Sequence, residues 1–282
     1  MRGARHDARG APGKERPRRT RCAVTGEVLT PLRARYADWL GLDANDVLAD
    51  REEAVDDIRA LQLVLRMERN RPPSWHRALA LAAGGSAAIC LDPRSEPGGQ
   101  WHDGVRDYCA GHIRKVTRRG RGVQWEATAD LPGITLIDGD TQVRALVPGR
   151  VAGLDKRVSK LQVGGTDVEP DAAPSDGPRG SLRVWLPPRP IMTLGKAMAQ
   201  MGHAGMIASA LLAADQPRLH AWIDAGLPVW AGRADAGRWS ELAAAVVDNG
   251  LAWTADGLLA VRDAGFTEVA PGTITAIARV DW

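Results

Sequence analysis

The chain has 282 residues, of which 44% are hydrophobic and 25% charged, so one or two ordinary globular domains are expected. No run of about 18 apolar residues occurs, so no membrane span is expected. The basic N-terminus lacks the apolar stretch of a secretory signal. Three cysteines, Cys22, Cys90 and Cys109, fit neither a disulfide framework nor a paired metal-binding spacing. These features predict a cytoplasmic protein.

The net charge of +3 is unevenly distributed along the chain. Residues 1–22 hold eight Lys and Arg against Asp7 and Glu15, a local charge of +6, and subtracting +6 from +3 leaves −3 for the remainder. Residues 1–30 are rich in Arg, Gly and Pro and are predicted to be a disordered tail. Such a tail either binds nucleic acid or is a solvated arm, and the sequence leaves both open.

Helical and strand patterns alternate through residues 31–163, which we assign to an N-terminal α/β domain. An acidic run follows its first helix and indicates an exposed helix face. The predicted elements are a helix within 31–60, a buried strand at 61–68, an Ala-rich helix at 75–91, a helix near 101–111, and short strands with the sequences ITLID and TQVRALV.

The stretch GGTDVEPDAAPSDGPRGS, residues 164–181, has almost nothing to bury and is predicted to be an interdomain linker. Residues 182–282 then alternate again and predict a small four-stranded mixed sheet with helices on both faces. The predicted elements are a strand at 182–186, helices at 195–214 and 216–226, a strand at 228–232, a helix at 237–250 ended by Gly250 in the left-handed C′ position, and two further strands.

The helix that contains LGKAMAQMGHAG, residues 194–205, is apolar except for Lys196, Gln200 and His203. At 100° per residue these three side chains fall within roughly 60° of one another. Burying this stripe without partners would leave the Lys196 amine unpaired, which would cost roughly several kcal/mol. The stripe therefore faces either solvent or a polar cleft.

A second polar cluster is predicted in VRDAGFTEVAPGT, residues 261–273. A strand delivers Asp263 to its C-terminal end, where open α/β sheets usually place their sites. Thr267 follows in the turn, and Thr273 and Thr275 are expected on one face of the next strand. The alternative interpretation is ordinary turn chemistry, in which Asp, Gly, Thr and Pro are common.

GKAMAQMGHA followed by DAGFTEVAPGTIT resembles the type 2 peptidyl-tRNA hydrolases, and the resemblance covers about residues 182–282. It implies metal-independent water attack on the ester between a peptide and the 3′ end of tRNA, without a cofactor, as in translation and ribosome rescue. The chain departs from the family pattern at Leu186–Pro190 and at Met198-Ala199. The implied catalytic residues are Lys196, Asp263, Thr267, Thr275 and His203, and the implied substrate-binding residues are Gln200, Thr273 and Arg262.

The region 182–282 carries eight Lys and Arg against nine Asp and Glu, a net charge of −1, whereas a protein that handles tRNA usually presents positive charge. HIRKVTRRGR, residues 112–121, supplies five positive residues in ten. We predict that this segment helps hold tRNA; the alternative is a solvated strand edge. The candidate tRNA-binding residues are Arg114, Lys115, Arg118 and Arg119.

Residues 61–155 are also interpreted as a degenerate copy of the hydrolase-like fold. The sequence alignment of the two copies places DTQVRALVPGRV, residues 140–151, opposite DAGFTEVAPGTI, residues 263–274. In it Arg144 and Arg150 stand where Thr267 and Thr273 stand. The family resemblance implies a homodimer, whereas an internal copy implies an intramolecular pseudo-dimer.

Two other functions stay open at this point. The first alternative to peptidyl-tRNA hydrolysis is a non-catalytic tRNA- or RNA-binding module of the same fold. The second is a hydrolase of another acyl substrate, which the Pro-rich rim at 187–190 suggests. The Gly-Gly-Gln in PGGQW, residues 97–101, matches translation release factors over three residues, too few to carry an assignment.

Overall fold

A computed structural model describes residues 24–41, 54–172, 177, 179–263 and 268–280. Of the tail predicted over 1–30, residues 1–23, with Cys22, lie outside the described residues. Its last part is folded, because Val24, Val28 and Leu29 are buried in the main core, so the expectation of disorder is wrong there. Residues 50–53 of the acidic run at 50–57, and Thr267, also lie outside the described residues. Within the part of the chain that is described, no helix is both long and apolar enough to span a bilayer.

The N-terminal half is a mixed sheet with helices, as the sequence predicts. β1 is parallel to β2 and antiparallel to β4, β4 is antiparallel to β3, and the strand order is β3-β4-β1-β2-β6, with β5 pairing to β1. Six central residues of β1 are buried, which explains its continuous apolar pattern. The elements are α1 Thr30–Gly41, β1 Arg59–Arg66, α2 Trp75–Cys90, α3 His102–Ala110, β2 Arg114–Gly120, α4 Val123–Glu126, β3 Gly133–Asp138, β4 Thr141–Leu146, β5 Gly149–Arg150, α5 Lys156–Ser159 and β6 Gln162–Val163.

The C-terminal half is the predicted four-stranded mixed sheet, in the order β8-β7-β10-β9. β7 is parallel to β8 and antiparallel to β10, and β10 is antiparallel to β9. The α/β fold class is thus confirmed. The elements are β7 Leu182–Leu186, α6 Leu194–Leu212, α7 Gln216–Asp224, β8 Val229–Arg233, α8 Ala236–Ala245, α9 Asn249–Asp256, β9 Leu258–Arg262 and β10 Ile274–Val280.

One predicted helix end is wrong. The helix expected over 237–250 ends at Ala245, and Gly250 lies in the first turn of the next helix, α9. Asp248 starts α9 by accepting a hydrogen bond from Leu251 N, so the chain begins a new helix before Gly250 is reached. Gly257, with φ of 63°, is the left-handed residue that ends α9.

The two halves share one topology. In each, the first strand runs parallel to the second and antiparallel to the fourth, and the third strand pairs with the fourth: β2-β1-β4-β3 corresponds to β8-β7-β10-β9. This correspondence contradicts the pairing of 140–151 with 263–274. The first segment includes strand β4, whose counterpart is β10, whereas residues 263–274 lie almost wholly in the connection before β10. Arg144 and Arg150 are therefore not counterparts of Thr267 and Thr273.

Helices α2 and α6 pack together between the two sheets. Each also contacts the sheet of the other half, α2 at β8 and α6 at β2, and these strands hold equivalent places. The main hydrophobic core therefore includes residues from both halves. The outer face of the C-terminal sheet is covered by α8 and α9, and that of the N-terminal sheet by α4 and α5. The predicted helices on both faces of the C-terminal sheet are thus present.

Glycine permits the close contact between α2 and α6. A Cβ on Gly205 would lie 2.3 Å from the carbonyl oxygen of Ala83, and a Cβ on Gly202 would lie 2.6 Å from Ser86 Oγ. Because real Cβ atoms do not approach backbone oxygen so closely, these glycines set the distance between the two helices.

Helix α1 links the start of the described chain to the C-terminal sheet. The buried Tyr36 hydroxyl donates to Ala260 O at 2.9 Å and accepts from Ala260 N at 3.1 Å. Strand β9 is an edge of its sheet, so Tyr36 satisfies backbone groups that a neighbouring strand would otherwise pair.

Candidate active site

A cleft of about 640 Å³ opens between the two halves. Helix α6 of the C-terminal half forms one wall, and the first residues of β2, with part of α1, form another. Its lining includes five basic side chains and three acidic ones, so the cleft has a net positive charge although the C-terminal region has not. The basic residues are Arg35, Arg114, Lys115, Lys196 and Arg262, and the acidic residues are Asp167, Asp263 and Glu268.

A chain of hydrogen bonds joins α6 to the end of β9 and the start of β10. Lys196 Nζ forms an ion pair with Asp263 Oδ2. Gln200 Nε2 donates to the same oxygen at 2.6 Å, and Thr275 Oγ1 donates to Gln200 Oε1 at 2.6 Å. Gln200 and Thr275 are buried, and Asp263 is 7% exposed. The amide is thus held with its nitrogen toward the carboxylate, and Asp263 is fixed by two donors from successive turns of one helix.

Local capping fixes the start of α6 and so the position of Lys196. Thr193 is the N-cap, and its hydroxyl accepts from Lys196 N at 3.3 Å. Thr193 Oγ1 also donates to Glu268 Oε1 at 2.7 Å, and Asp167 Oδ1 accepts from Leu194 N at 2.9 Å. Two carboxylates therefore lie at the positive end of the helix dipole.

His203 lies one turn further along α6 and meets a lysine of the other half. Lys115 Nζ is 3.5 Å from His203 Nδ1, and it donates to Ile113 O at 3.1 Å and to Tyr108 Oη at 3.3 Å. Burial, then the charges of Lys115 and Lys196, hold the pKa of His203 well below its usual range. Burial lowers the pKa of Lys115 to about 7. Both groups can therefore be neutral near physiological pH.

The polar stripe of α6 thus faces a polar cleft rather than open solvent. Of the predicted catalytic set, Lys196, Asp263 and Thr275 are joined in one network, and His203 lines the same cleft. Gln200, predicted to bind substrate, lines the cleft and connects Asp263 with Thr275. The position of Thr267 lies outside the described residues.

The other predicted substrate-binding residues of this half differ in position. Arg262 lines the cleft, and its guanidinium donates to Gly272 O at 3.2 Å. Thr273 does not line it, because its hydroxyl turns back to donate to Ala270 O at 2.7 Å. The expectation that Thr273 and Thr275 share one face is therefore wrong: Thr273 belongs to the turn, and a register shift follows between Ile274 and Ala276.

The basic segment on β2 does not form one continuous surface. Arg114 and Lys115 line the cleft. Arg118 instead donates to Gln62 Oε1 and Leu161 O, and burial lowers its pKa. Arg119 is exposed and donates to Gln162 and to Gly165 O. β2 pairs with β6 at Arg118 and Arg119, so this part is not a solvated sheet edge.

Sequence patterns missed several cleft residues because their partners are distant in the chain. Thr117 Oγ1 donates to Gly195 O at 2.8 Å and joins β2 to the start of α6. Asp167 lies in the stretch predicted to be a linker. Arg35 lies in a helix that the spacing of its apolar residues predicts, and that spacing says nothing about its polar side chains. Neither PGGQW, residues 97–101, nor the rim at 187–190 lines the cleft.

The fold and this cleft define an α/β domain with a lysine–carboxylate–amide centre. Residues 186–280 match the family model described as peptidyl-tRNA hydrolase PTH2. The C-terminal region therefore carries a domain of the peptidyl-tRNA hydrolase PTH2 family, and the resemblance predicted from its two motifs is confirmed there. No curated protein and no solved structure matches the chain significantly.

Proposed function

We propose that the protein hydrolyses the ester joining a peptide, or an N-blocked amino acid, to the 3′ ribose of tRNA. The observation that carries the proposal is the network in which Lys196 and Gln200 both bond Asp263, placed in a positively charged cleft within the matched region. Its substrate is a product of translation, which places the protein in the cytoplasm under this proposal.

In this mechanism Asp263 orients the attacking water and takes up its proton as the water adds to the ester carbonyl carbon. The carbonyl oxygen gains negative charge, which the Lys196 ammonium stabilises. Collapse of the tetrahedral intermediate breaks the bond to the ribose 3′ oxygen, which leaves with the proton that Asp263 took up. Gln200 and Thr275 keep the carboxylate in place. The proposal uses neither a metal nor a covalent nucleophile.

We further propose that the N-terminal half serves as a non-catalytic partner within the same chain. It supplies Arg35, Arg114 and Lys115 to the cleft. Its topology supports descent from a copy of the hydrolase-like fold, and its reciprocal contacts support an intramolecular pseudo-dimer. On this view residues 182–282 are the catalytic unit and 31–163 the accessory unit, joined by 164–181.

The test is release of free tRNA from N-acetyl-aminoacyl-tRNA by the full-length protein. Asp263→Asn should lower kcat/KM at least about a hundredfold, because both water activation and the partner of Lys196 are lost. The matched control is Asp256→Asn, at an exposed carboxylate at the end of α9.

The result also separates the alternatives. Release that is unaffected by Asp263→Asn would overturn the proposed mechanism. Binding of tRNA without release would favour the RNA-binding module. Hydrolysis of N-blocked amino acid esters but not of tRNA esters would favour a different acyl substrate.

A further inference from the structure

The carboxylates of the cleft are confined to one of its ends. The three carboxylates lie near the start of α6, where Asp263 pairs with Lys196 and where Asp167 and Glu268 bond the first turn. Further along α6, His203 lies against Lys115, and Arg35 and Arg114 line the same cleft. His203 follows Lys196 by seven residues, which corresponds to roughly 10 Å along the helix. A basic end thus lies one or two nucleotides away from the hydrolytic centre.

Lys115 is placed there by close packing rather than at a free surface. Its side chain crosses α6 at Gly202, where a Cβ would lie 2.6 Å from Lys115 Cδ. Its amine donates to the hydroxyl of Tyr108 and the carbonyl of Ile113. Among the described residues no carboxylate lies within ion-pair distance of this amine. A desolvated amine without a carboxylate is a poor structural element and a good anion ligand.

We propose that Lys115, with Arg35 and Arg114, forms a subsite for a phosphodiester group of the nucleic-acid 3′ end. The subsite deepens the proposed function, because it accounts for how an ester on the terminal ribose would be held above Asp263. It also assigns a substrate-binding role to the N-terminal half at a particular side chain. An entering phosphodiester would supply the negative charge that the amine lacks in the unliganded protein.

The binding should depend on pH through Lys115, whose pKa is about 7 in the unliganded protein. Below pH 7 the amine is charged and attracts the anion; above it the amine is neutral and the attraction falls. A phosphodiester keeps one charge throughout this range. The titratable groups that face the amine are His203 on α6, Tyr108 and Cys109 on α3 and Cys90 on α2. The other basic groups that line the same cleft include Arg35, His112, Arg114 and Lys196.

The experiment measures binding of the dinucleotide CpA, of adenosine and of inorganic phosphate to the full-length protein by calorimetry. CpA should bind more tightly than adenosine, and Lys115→Met should weaken CpA about tenfold while leaving adenosine unchanged. The affinity of the wild type for CpA should fall as pH rises from 6 to 8. Lys115→Arg should retain affinity and lose this pH dependence, because a guanidinium stays charged.

Three results would overturn the subsite: equal affinities for CpA and adenosine, equal losses of both in Lys115→Met, or phosphate competing with adenosine but not with CpA. A parallel assay compares hydrolysis of N-acetyl-aminoacyl esters of CpA and of adenosine, for which Lys115→Met should raise KM for the first alone. Failure of hydrolysis with either ester would count against the proposed function, whereas the binding results test the subsite independently.

Discussion

At the scale of single residues, Thr275 shows how a buried hydroxyl supports a site that it does not line. It donates to Gln200, which in turn donates to Asp263. Thr275→Val keeps the side-chain shape but leaves Gln200 Oε1 without that donor. We expect the free energy of unfolding to fall by about 1–3 kcal/mol and kcat to fall about tenfold, since the carboxylate loses its orientation.

Thr275→Ser, which retains the hydroxyl, should restore most of kcat. Thr254→Val, on the exposed face of α9, is the matched control and should leave kcat unchanged. Chemical denaturation and steady-state kinetics measure the two effects. If Thr275→Val and Thr275→Ser behaved alike, the hydroxyl would have no part in orienting Asp263.

Lys115 makes a prediction about stability with a defined sign. Burial lowers its pKa from 10.5 to about 7 in the folded chain, so the folded state resists protonation. The loss of folded-state stability from charging the buried amine is absent above the pKa of the unfolded chain. It grows as pH falls and is complete below about pH 7. The unfolding free energy of Lys115→Met, minus that of wild type, should therefore rise as pH falls from about 10 to about 7.

Denaturant unfolding at several pH values measures this difference, and Lys160→Met, at an exposed lysine, is the control. A difference that stayed constant with pH would mean that the Lys115 amine is not desolvated. Weaker CpA binding and a pH-dependent gain in stability in Lys115→Met would together identify Lys115 as a ligand-binding residue. Removal of a merely structural residue would only destabilise the fold.

At the scale of elements, α6 illustrates what its sequence could reveal. Spacing placed Lys196, Gln200 and His203 on one stripe because a helix has a fixed period. The same pattern gave no indication of what the stripe faces. Lys115 lies in β2, 81 residues before Lys196, and Asp263 follows β9, 67 residues after it. The helix end at Gly250 was mispredicted because glycine is only one of the signals, and the cap at Asp248 came first.

The glycines of α6 allow a prediction for the helix pair. Gly205→Ala places a methyl group against the backbone oxygen of Ala83, which cannot move without shifting α2. We expect destabilisation by about 1–3 kcal/mol from overpacking, although alanine is the better helix former. Gly237→Ala, at an exposed position of α8, should be neutral or slightly stabilising. Thermal unfolding of both variants compares them, and equal melting temperatures would contradict the tight contact.

At the scale of the whole molecule, the shared topology could be suspected from sequence but not aligned. Each half has a buried first strand followed by a helix rich in small residues, and these elements hold equivalent places in the two sheets. The pairing of 140–151 with 263–274 is wrong because the first segment contains a strand and the second is a connection between strands. The two segments share Asp and Pro-Gly, which are common in any turn. Only the strand order of the two sheets relates the halves reliably.

The joint core makes a last prediction about separating the halves. Helices α2 and α6 bury each other, and Tyr36 caps the edge of β9, so a fragment of residues 182–282 would expose much of the apolar face of α6. We expect this fragment alone to be unstable or aggregated and to release no tRNA. Co-expression with residues 1–181 should restore a soluble complex and its activity, because the interface between the halves resembles a domain core. Circular dichroism, size-exclusion chromatography and the tRNA-release assay measure these outcomes. A folded, fully active 182–282 fragment would show instead that the N-terminal half is dispensable for both the fold and the site.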